Sequence, residues 1–142
     1  MFVVASDHAG FELKKKIKKW FDKTNQKYFD CGAENFDAED SFVDYAKKAI
    51  EYYTKKCKPS DVLLLICGSG IGMSIVANRN KDIRAVLASN SKQAKQSRFH
   101  NNANCLCIGA RNTSFLKAKS IINSFQKTNF LGGKYQDRMN NI

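Results

Sequence analysis

The sequence predicts an α/β fold, a Rossmann-like open sheet of five parallel strands with helices on both faces, in three α/β/α layers. Short apolar segments alternate with longer ones whose apolar residues recur at helical spacing. Residues 61–67, DVLLLIC, are apolar on both faces, as expected when helices cover both sides of a parallel sheet. This alternation predicts right-handed βαβ units. The chain is predicted to form one domain, residues 1–142.

The predicted elements follow one another without repeats or linkers. Strands are expected at residues 2–6, 27–31, 61–67, 83–89 and 103–109. Helices are expected at residues 10–24, about 41–56, from a glycine loop to about residue 80, at 90–100 and at about 113–126. Residues 132–142 form a short basic tail.

Local signals support these boundaries. The first helix carries Leu13 and Ile17 at helical spacing. An acidic stretch, residues 37–40, precedes the second helix and suits the positive end of its dipole. Pro59 interrupts the chain just before the third strand, where a helix must already have ended.

The strong positive charge raises the question of a nucleic-acid partner. The chain has 24 Lys and Arg against 13 Asp and Glu, a net charge of +11. The lysines are spread over several predicted helices instead of one basic arm, which favours a solvated lysine-rich surface over nucleic-acid binding. A basic pocket entrance would also attract anionic substrates. No apolar stretch is long enough for a membrane span.

The cysteine pattern predicts free thiols. The five cysteines are odd in number, form no Cys-x-x-Cys pair and have no histidines at zinc spacing. The chain opens directly into an apolar strand, without the pattern of a secretory leader. We therefore expect a cytoplasmic protein that holds no metal and needs no cofactor.

Chemistry-bearing residues cluster at the ends of the predicted elements. Parallel sheets bind ligands beyond the carboxyl ends of their strands. The first strand ends in SDHAG (6–10), the third in CGSGIG (67–72) and the fifth in GAR (109–111), while the fourth helix ends in FHNN (99–102). We therefore expect both histidines of the chain, His8 and His100, at the ligand-binding edge.

The glycine loop is the most informative of these clusters. Gly68, Gly70 and Gly72 alternate between a buried strand and a helix, so the backbone can approach a ligand and present several amides to an anion. A tight turn that merely needs glycine is the structural alternative. A dinucleotide site is disfavoured, because the spacing is not Gly-x-Gly-x-x-Gly, and the lysine of a phosphate-binding P-loop is absent.

Cys67 immediately precedes this loop. A helix N-terminus and nearby amides favour the thiolate form of such a cysteine. The alternative is a buried strand cysteine that acts as a small apolar residue, which we expect for Cys105 and Cys107. Lys134 and Arg138 would share one face if the tail is helical, and both could then reach one anion.

These segments together resemble the family of ribose-5-phosphate isomerase type B, within the wider group that includes the galactose-6-phosphate isomerase subunits. The resemblance extends nearly from end to end. It is carried by SDHAG (6–10), ICGSGIGMSIVANR (66–79), IRAV (83–86), SRFHNNAN (97–104), IGAR (108–111) and GGKYQDR (132–138).

The resemblance implies an aldose–ketose isomerase that interconverts ribose 5-phosphate and ribulose 5-phosphate through an enediolate, without a metal. Cys67 would be the base that moves a proton between carbons 2 and 1. Ser69 stands where the family usually has threonine, and would stabilise the enediolate with the amides of the loop. The loop residues implied to bind substrate are Gly68, Ser69, Gly70, Ile71 and Gly72.

The remaining site residues follow from the same resemblance. His100 would assist opening of the furanose ring, with Asn101 beside it, and Asp7 would contact the sugar hydroxyls. The phosphate would be surrounded by His8, Arg111, Lys134 and Arg138. The tail, residues 132–142, would pack on a neighbouring subunit, so that a homodimer or tetramer shares each site.

Two departures from the family pattern affect the substrate. The family often has Asp-Tyr-Pro at the start of the second helix, where this chain has Ser41, Phe42 and Val43. Lys134 replaces a usual arginine, and we expect phosphate binding to become more tolerant of substrate length. An isomerase of a hexose 6-phosphate, such as allose or galactose 6-phosphate, is therefore the alternative. A non-catalytic sugar-phosphate sensor is disfavoured, because Cys67 and His100 are both present.

Overall fold

The computed structural model describes residues 1–142 and contains five strands and six α-helices. The strands are β1 Phe2–Ser6, β2 Tyr28–Asp30, β3 Val62–Cys67, β4 Ala85–Leu87 and β5 Cys105–Gly109. The helices are α1 Phe11–Lys23, α2 Phe42–Lys56, α3 Ile71–Ala77, α4 Ser91–Asn101, α5 Phe115–Gln126 and α6 Lys134–Met139. Short 3₁₀ turns follow β1 and β5, at His8–Gly10 and Ala110–Asn112. None of the six α-helices combines the length and the apolar composition that a membrane span requires.

All five strands lie parallel in one sheet, in the order β2-β1-β3-β5-β4. The predicted fold is confirmed. The fourth strand is shorter than predicted because side chains replace its first ladder bonds. The Arg84 amide donates to Oδ1 of Asn104 at 2.8 Å, and the Ala85 amide donates to Oδ1 of Asn78 at 2.8 Å.

Two apolar cores lie on the two faces of the sheet, because successive strand residues point in opposite directions. Leu64 and Ile66 of β3 pack on the face covered by α1, α4 and α5. Leu63, Leu65 and Cys67 pack on the face covered by α2 and α3. Full burial of one such leucine stabilises the fold by about 1.5–3 kcal/mol.

The five cysteines are all free thiols. Cys105 and Cys107 are fully buried on the α2–α3 face, as predicted for small apolar residues, with their Sγ atoms 3.9 Å apart. Burial raises the pKa of Cys105 well above its ordinary value, so this thiol stays protonated.

One lysine departs from the expected solvated surface. Lys14 of α1 is only 2% exposed. Its Nζ donates to the Ala33 carbonyl at 2.7 Å and to Oδ1 of Asp30 at 3.1 Å, while Nζ of Lys18 donates to Oδ2 of Asp30 at 2.7 Å. Burial lowers the pKa of Lys14. These bonds join α1 to the segment that follows β2, which leads across the carboxyl edge of the sheet toward α2.

The direction of α4 determines where its last residues lie. A helix that connects parallel strands runs back along the sheet, from the carboxyl edge to the amino edge. Asn104, just after α4, confirms this position: its carbonyl accepts the amide of Leu63 at 3.0 Å and its side chain accepts the amide of Arg84. Both partners stand at the amino ends of their strands, so α4 ends at the amino edge.

Candidate active site

Three strand ends meet at the carboxyl edge and form the centre of the site. In the ladders, Ser6 lies beside Ile66, and Cys67 lies beside Gly109. The backbone of the loop after β3 packs directly on the end of β5. The contact is so close that a side chain at Gly109 would collide with the Ser69 carbonyl. The sheet therefore brings Asp7, the glycine loop and Arg111 together, as predicted.

Cys67 ends β3 with its thiol directed into the glycine loop. The side chain is buried, and its Sγ accepts a hydrogen bond from the Gly70 amide at 3.1 Å. Gly70 provides that amide from the left-handed region, with a φ of +79°, which side-chain-bearing residues rarely adopt. An amide that points at sulfur can donate its hydrogen bond to negative charge on that atom.

Ser69 lies exposed at the outer side of the loop. Its Oγ accepts the Ile71 amide at 3.2 Å. The hydroxyl proton is therefore free to be donated, and an oxyanion that develops near Cys67 is a suitable acceptor.

Arg111 covers the other side of the loop. Its amide donates to the Gly68 carbonyl at 3.0 Å. Its guanidinium lies so close to Gly68 that a Cβ there would be 2.9 Å from Cζ of Arg111. A glycine at position 68 thus allows a cation to lie directly beside Cys67, where it favours bound anions.

Asp7 is buried and supports the turn after β1. Its Oδ1 accepts the Gly10 amide at 2.9 Å, so one carboxylate oxygen is used within the protein. Burial raises the pKa of Asp7, and the Gly10 hydrogen bond opposes that rise.

His8 makes a contact with a distant carboxylate that sequence reasoning missed. Its Nδ1 lies 2.7 Å from Oδ1 of Asp40, and its backbone amide donates to the same oxygen at 2.9 Å. The hydrogen bond with Asp40 raises the pKa of His8. The acidic stretch suggested Asp40 as a dipole partner of α2, but Ser41 caps that helix by accepting the Val43 amide at 3.3 Å. No local signal could have paired residues 32 positions apart.

The expectation that both histidines lie at the ligand-binding edge is wrong for His100. His100 is the penultimate residue of α4, and the helix that follows a strand ends at the amino edge. Its ring stacks on Tyr135 of α6, with centroids 4.5 Å apart and planes 17° apart. Nζ of Lys134 and Cζ of Arg138 lie 5.4 Å and 5.6 Å from the centroid of the same Tyr135 ring.

The predicted site residues therefore form two clusters in one chain. The carboxyl-edge cluster contains Asp7, His8, Cys67, Gly68, Ser69, Gly70, Ile71, Gly72 and Arg111. The amino-edge cluster contains His100, Asn101, Lys134 and Arg138, with Tyr135 added by the structure. A cleft of ≈ 570 Å³ borders Asn101 and not Cys67. No three His, Cys, Asp or Glu side chains meet as a metal-binding group.

The sequence matches the family model described as Ribose/Galactose Isomerase over residues 2–142. The chain belongs to this family. The resemblance of its motifs, and the prediction that it is an isomerase, are confirmed. Ribose-5-phosphate isomerase B of Mycolicibacterium paratuberculosis is 36% identical over 126 residues, which are 88% of this chain and 77% of that protein.

Solved structures of the ribose/galactose isomerase family share the fold throughout. Ribose 5-phosphate isomerase B from Anaplasma phagocytophilum is 38% identical, with a TM-score of 0.91 over 99% of this chain and 94% of that one. The enzyme from Mycoplasma genitalium, solved with bound ribulose-5-phosphate, is 34% identical, with a TM-score of 0.90 over 99% of this chain and 91% of that one.

Proposed function

We propose that this isomerase interconverts ribose 5-phosphate and ribulose 5-phosphate, with Cys67 as the base. The observation that carries the proposal is the thiol of Cys67, held by the Gly70 amide and flanked by Ser69 and Arg111. The bound ribulose-5-phosphate of the Mycoplasma genitalium relative supports the choice of sugar. The groups of the carboxyl-edge cluster stand at or just after the ends of strands whose register is fixed by the sheet.

The arrangement suits a proton transfer between adjacent carbons. In the direction from aldose to ketose, the Cys67 thiolate takes the proton from carbon 2, and a proton is returned to carbon 1. The hydroxyl proton of oxygen 2 passes to oxygen 1, so that the atoms balance. Negative charge develops on these oxygens, where the Ser69 hydroxyl and the loop amides donate hydrogen bonds. Arg111 and His8 hold the phosphate, which orients the reacting carbons.

Ring opening requires the amino-edge cluster of a second copy of this chain. His100 and Cys67 lie at opposite edges of the sheet. The five residues of β5, which run from one edge to the other, already span about 13 Å. Ile71, Ile75 and Leu87 form an exposed apolar patch beside the glycine loop. Leu87 lies against Gly70, and α3 carries no charged residue although the chain has 24 Lys and Arg. We therefore assign this patch to a homodimer.

A hexose 6-phosphate is the second candidate substrate. Ser41 serves as the cap of α2, and the Phe42 ring packs so tightly on Gly72 that a Cβ there would lie 2.7 Å from it. Neither residue offers the carboxylate or phenol that the family often has at these positions. If Lys134 binds the phosphate in place of an arginine, we expect the affinity for a longer sugar phosphate to rise relative to that for the pentose phosphate.

The first experiment tests substrate and base together. The protein is mixed with ribose 5-phosphate, allose 6-phosphate or galactose 6-phosphate, with and without a chelator, and the ketose product is measured. We expect the highest kcat/KM for ribose 5-phosphate, unchanged by the chelator. Cys67→Ala should lower kcat by about 10²–10⁴-fold, whereas Cys57→Ala, at the far end of α2, should leave it unchanged. Undiminished turnover by Cys67→Ala would falsify the assigned base.

A second experiment tests the shared site. Cys67→Ala and His100→Ala proteins are purified, mixed and allowed to exchange subunits, which mass spectrometry can follow. Each mixed dimer contains one site with both groups intact, so about a quarter of the wild-type sites should return. Mixed dimers without any activity would contradict a site built from two chains.

We assign the protein to the cytoplasm. Its five free thiols support a reducing compartment, and its proposed substrates are phosphorylated intermediates of central sugar metabolism. Oxidised, cross-linked protein recovered from cells would argue against this assignment.

A further inference from the structure

The His8–Asp40 pair differs from an ordinary surface ion pair in its burial and in its number of hydrogen bonds. The Asp40 side chain is only 4% exposed, whereas that of His8 is 33% exposed. Oδ1 of Asp40 accepts two hydrogen bonds from one residue, from the amide and from the ring of His8. Oδ2 is buried and has no hydrogen-bond partner in the protein. His8 is therefore the only group that hydrogen-bonds to this carboxylate.

A buried carboxylate is costly unless a counter-charge compensates it. The groups that face His8 are Asp7 beside it, Asp40 from the segment before α2, and Arg111 from the turn after β5. The Phe36 ring lies edge-on to the imidazole, with centroids 6.4 Å apart. Two carboxylates against one guanidinium favour a protonated imidazole, and the bond to Asp40 fixes a proton on Nδ1.

We propose that Asp40 is a positioning residue of the isomerase: it holds His8 cationic, with Nδ1 engaged, so that Nε2–H is presented to the substrate phosphate. The inference rests on the proposed function, because it assumes that His8 binds the phosphate. Asp40 itself touches no reacting atom. It acts through the orientation and charge of His8, in the manner of carboxylates that orient histidine ligands.

The position of Asp40 depends on the buried anchor formed by Lys14. The bonds from Lys14 to Ala33 and Asp30 hold the start of the segment that ends at Asp40. The Phe36 ring, midway along this segment, packs edge-on to Phe11 of α1, with centroids 6.2 Å apart. The carboxylate is thus brought to His8 by a segment fixed at its beginning and its middle.

The pH dependence follows from the sign of the shift. The pKa of His8 is raised above 6.5 by the Asp40 hydrogen bond, so the cation persists to higher pH than in a free histidine. The contribution of this charge to phosphate binding is fully present below pH 6.5 and is lost as the pH rises through the raised pKa. Removal of the Asp40 charge should move that loss to lower pH.

The test uses inorganic phosphate as a probe, so that it does not depend on turnover. The chain has two histidines, and NMR can follow each imidazole in the full-length protein. In Asp40→Asn we expect the His8 titration to move to lower pH and phosphate to bind about tenfold more weakly near neutral pH. Asp40→Glu should restore part of both losses. Asp37→Asn, an exposed neutralisation in the same segment, should change neither.

Kinetics then separate positioning from folding. If the protein isomerises ribose 5-phosphate, Asp40→Asn should raise KM about tenfold, with kcat changed by less than about threefold, because only the remote phosphate contact is weakened. The NMR readouts stand even if ribose 5-phosphate is not the substrate, so the two proposals fail separately.

Wild-type protein alone can also decide the matter, should Asp40→Asn not fold. Above its titration midpoint, the neutral His8 ring must carry its proton on Nδ1, which ¹⁵N chemical shifts report. A His8 ring protonated on Nε2 instead, or an Asp40→Asn protein whose His8 titration and phosphate affinity match the wild type, would overturn the proposal.

Discussion

The sulfur of Cys67 has a single hydrogen-bond donor, the amide of Gly70. Gly70 makes this hydrogen bond from a left-handed backbone, with a φ of +79°. The same glycine lies against Leu87 and Gly109 on its other side. One residue without a side chain therefore connects the sulfur of the proposed base to the packing of β4 and β5.

At this scale we predict that Gly70→Ala damages both stability and activity. Its Cβ would lie 2.5 Å from Cδ1 of Leu87 and 2.9 Å from the Gly109 amide nitrogen. Backbone strain and overpacking together should cost about 2–5 kcal/mol of unfolding free energy, and kcat should fall with the displaced amide. Urea denaturation and kinetics measure both.

Gly132→Ala is the matched control. Gly132 is also left-handed, at a φ of +64°, but a Cβ added there would meet no atom within 4 Å. Only backbone strain remains, about 1–2 kcal/mol. Equal losses in the two variants would show that crowding at Gly70 is unimportant.

Among elements, the segment between β2 and α2 is organised by one buried lysine. Two lysines of α1 share Asp30, but only Lys14 also reaches the Ala33 carbonyl. Burial pushes the pKa of Asp30 upward, yet the bonds from Lys18 and the Gly32 amide and the charge of Lys14 hold it below its ordinary value. This carboxylate thus stays ionised and keeps α1 attached to the segment.

We predict that Lys14→Met destabilises the protein by about 1–3 kcal/mol, because the buried Ala33 carbonyl loses its partner. Lys18→Met should cost less than about 1 kcal/mol, since Lys18 is 34% exposed and its ion pair is screened by solvent. Urea denaturation measures both. A larger loss in Lys18→Met than in Lys14→Met would contradict the anchoring role of Lys14.

The sequence was sufficient for the elements whose signals are local. Apolar periodicity located the strands, and the glycine pattern located the loop. The strand order that makes Asp7, Cys67 and Arg111 neighbours came from the structure. Sequence reasoning missed contacts that depend on three-dimensional direction. The position of His100 is one of these, because the helices end at the opposite edge of the sheet from the strands that precede them. Lys14 and Asp40 find buried partners far along the chain, and no periodicity encodes such pairs.

For the whole molecule, the arrangement of the sheet separates the two predicted halves of the site. Cys67 and His100 stand at opposite edges, and the apolar patch of Ile71, Ile75 and Leu87 lies beside the first half. A surface of this kind, on a chain rich in lysine, favours self-association at the one uncharged helix.

We predict that Ile75→Asp yields a folded monomer with little activity. Ile75 is 54% exposed in one chain, so its replacement should not disturb the core, but a carboxylate would be buried in the proposed dimer at a prohibitive cost. Leu116→Asp is the control, because Leu116 is 74% exposed on α5, away from the patch. Sedimentation and kinetics measure the outcome. An active dimer of Ile75→Asp would place the interface elsewhere.

The opposite positions of Cys67 and His100 also have a consequence for how the rate depends on the amount of protein. If a complete site requires two chains, activity counts pairs and not chains. Under dilution below the dissociation constant of the dimer, halving the protein would lower the initial rate about fourfold instead of twofold. The concentration of this protein in a cell would then determine its activity per chain as well as its total activity. At low expression the chains would be mostly monomeric and inactive.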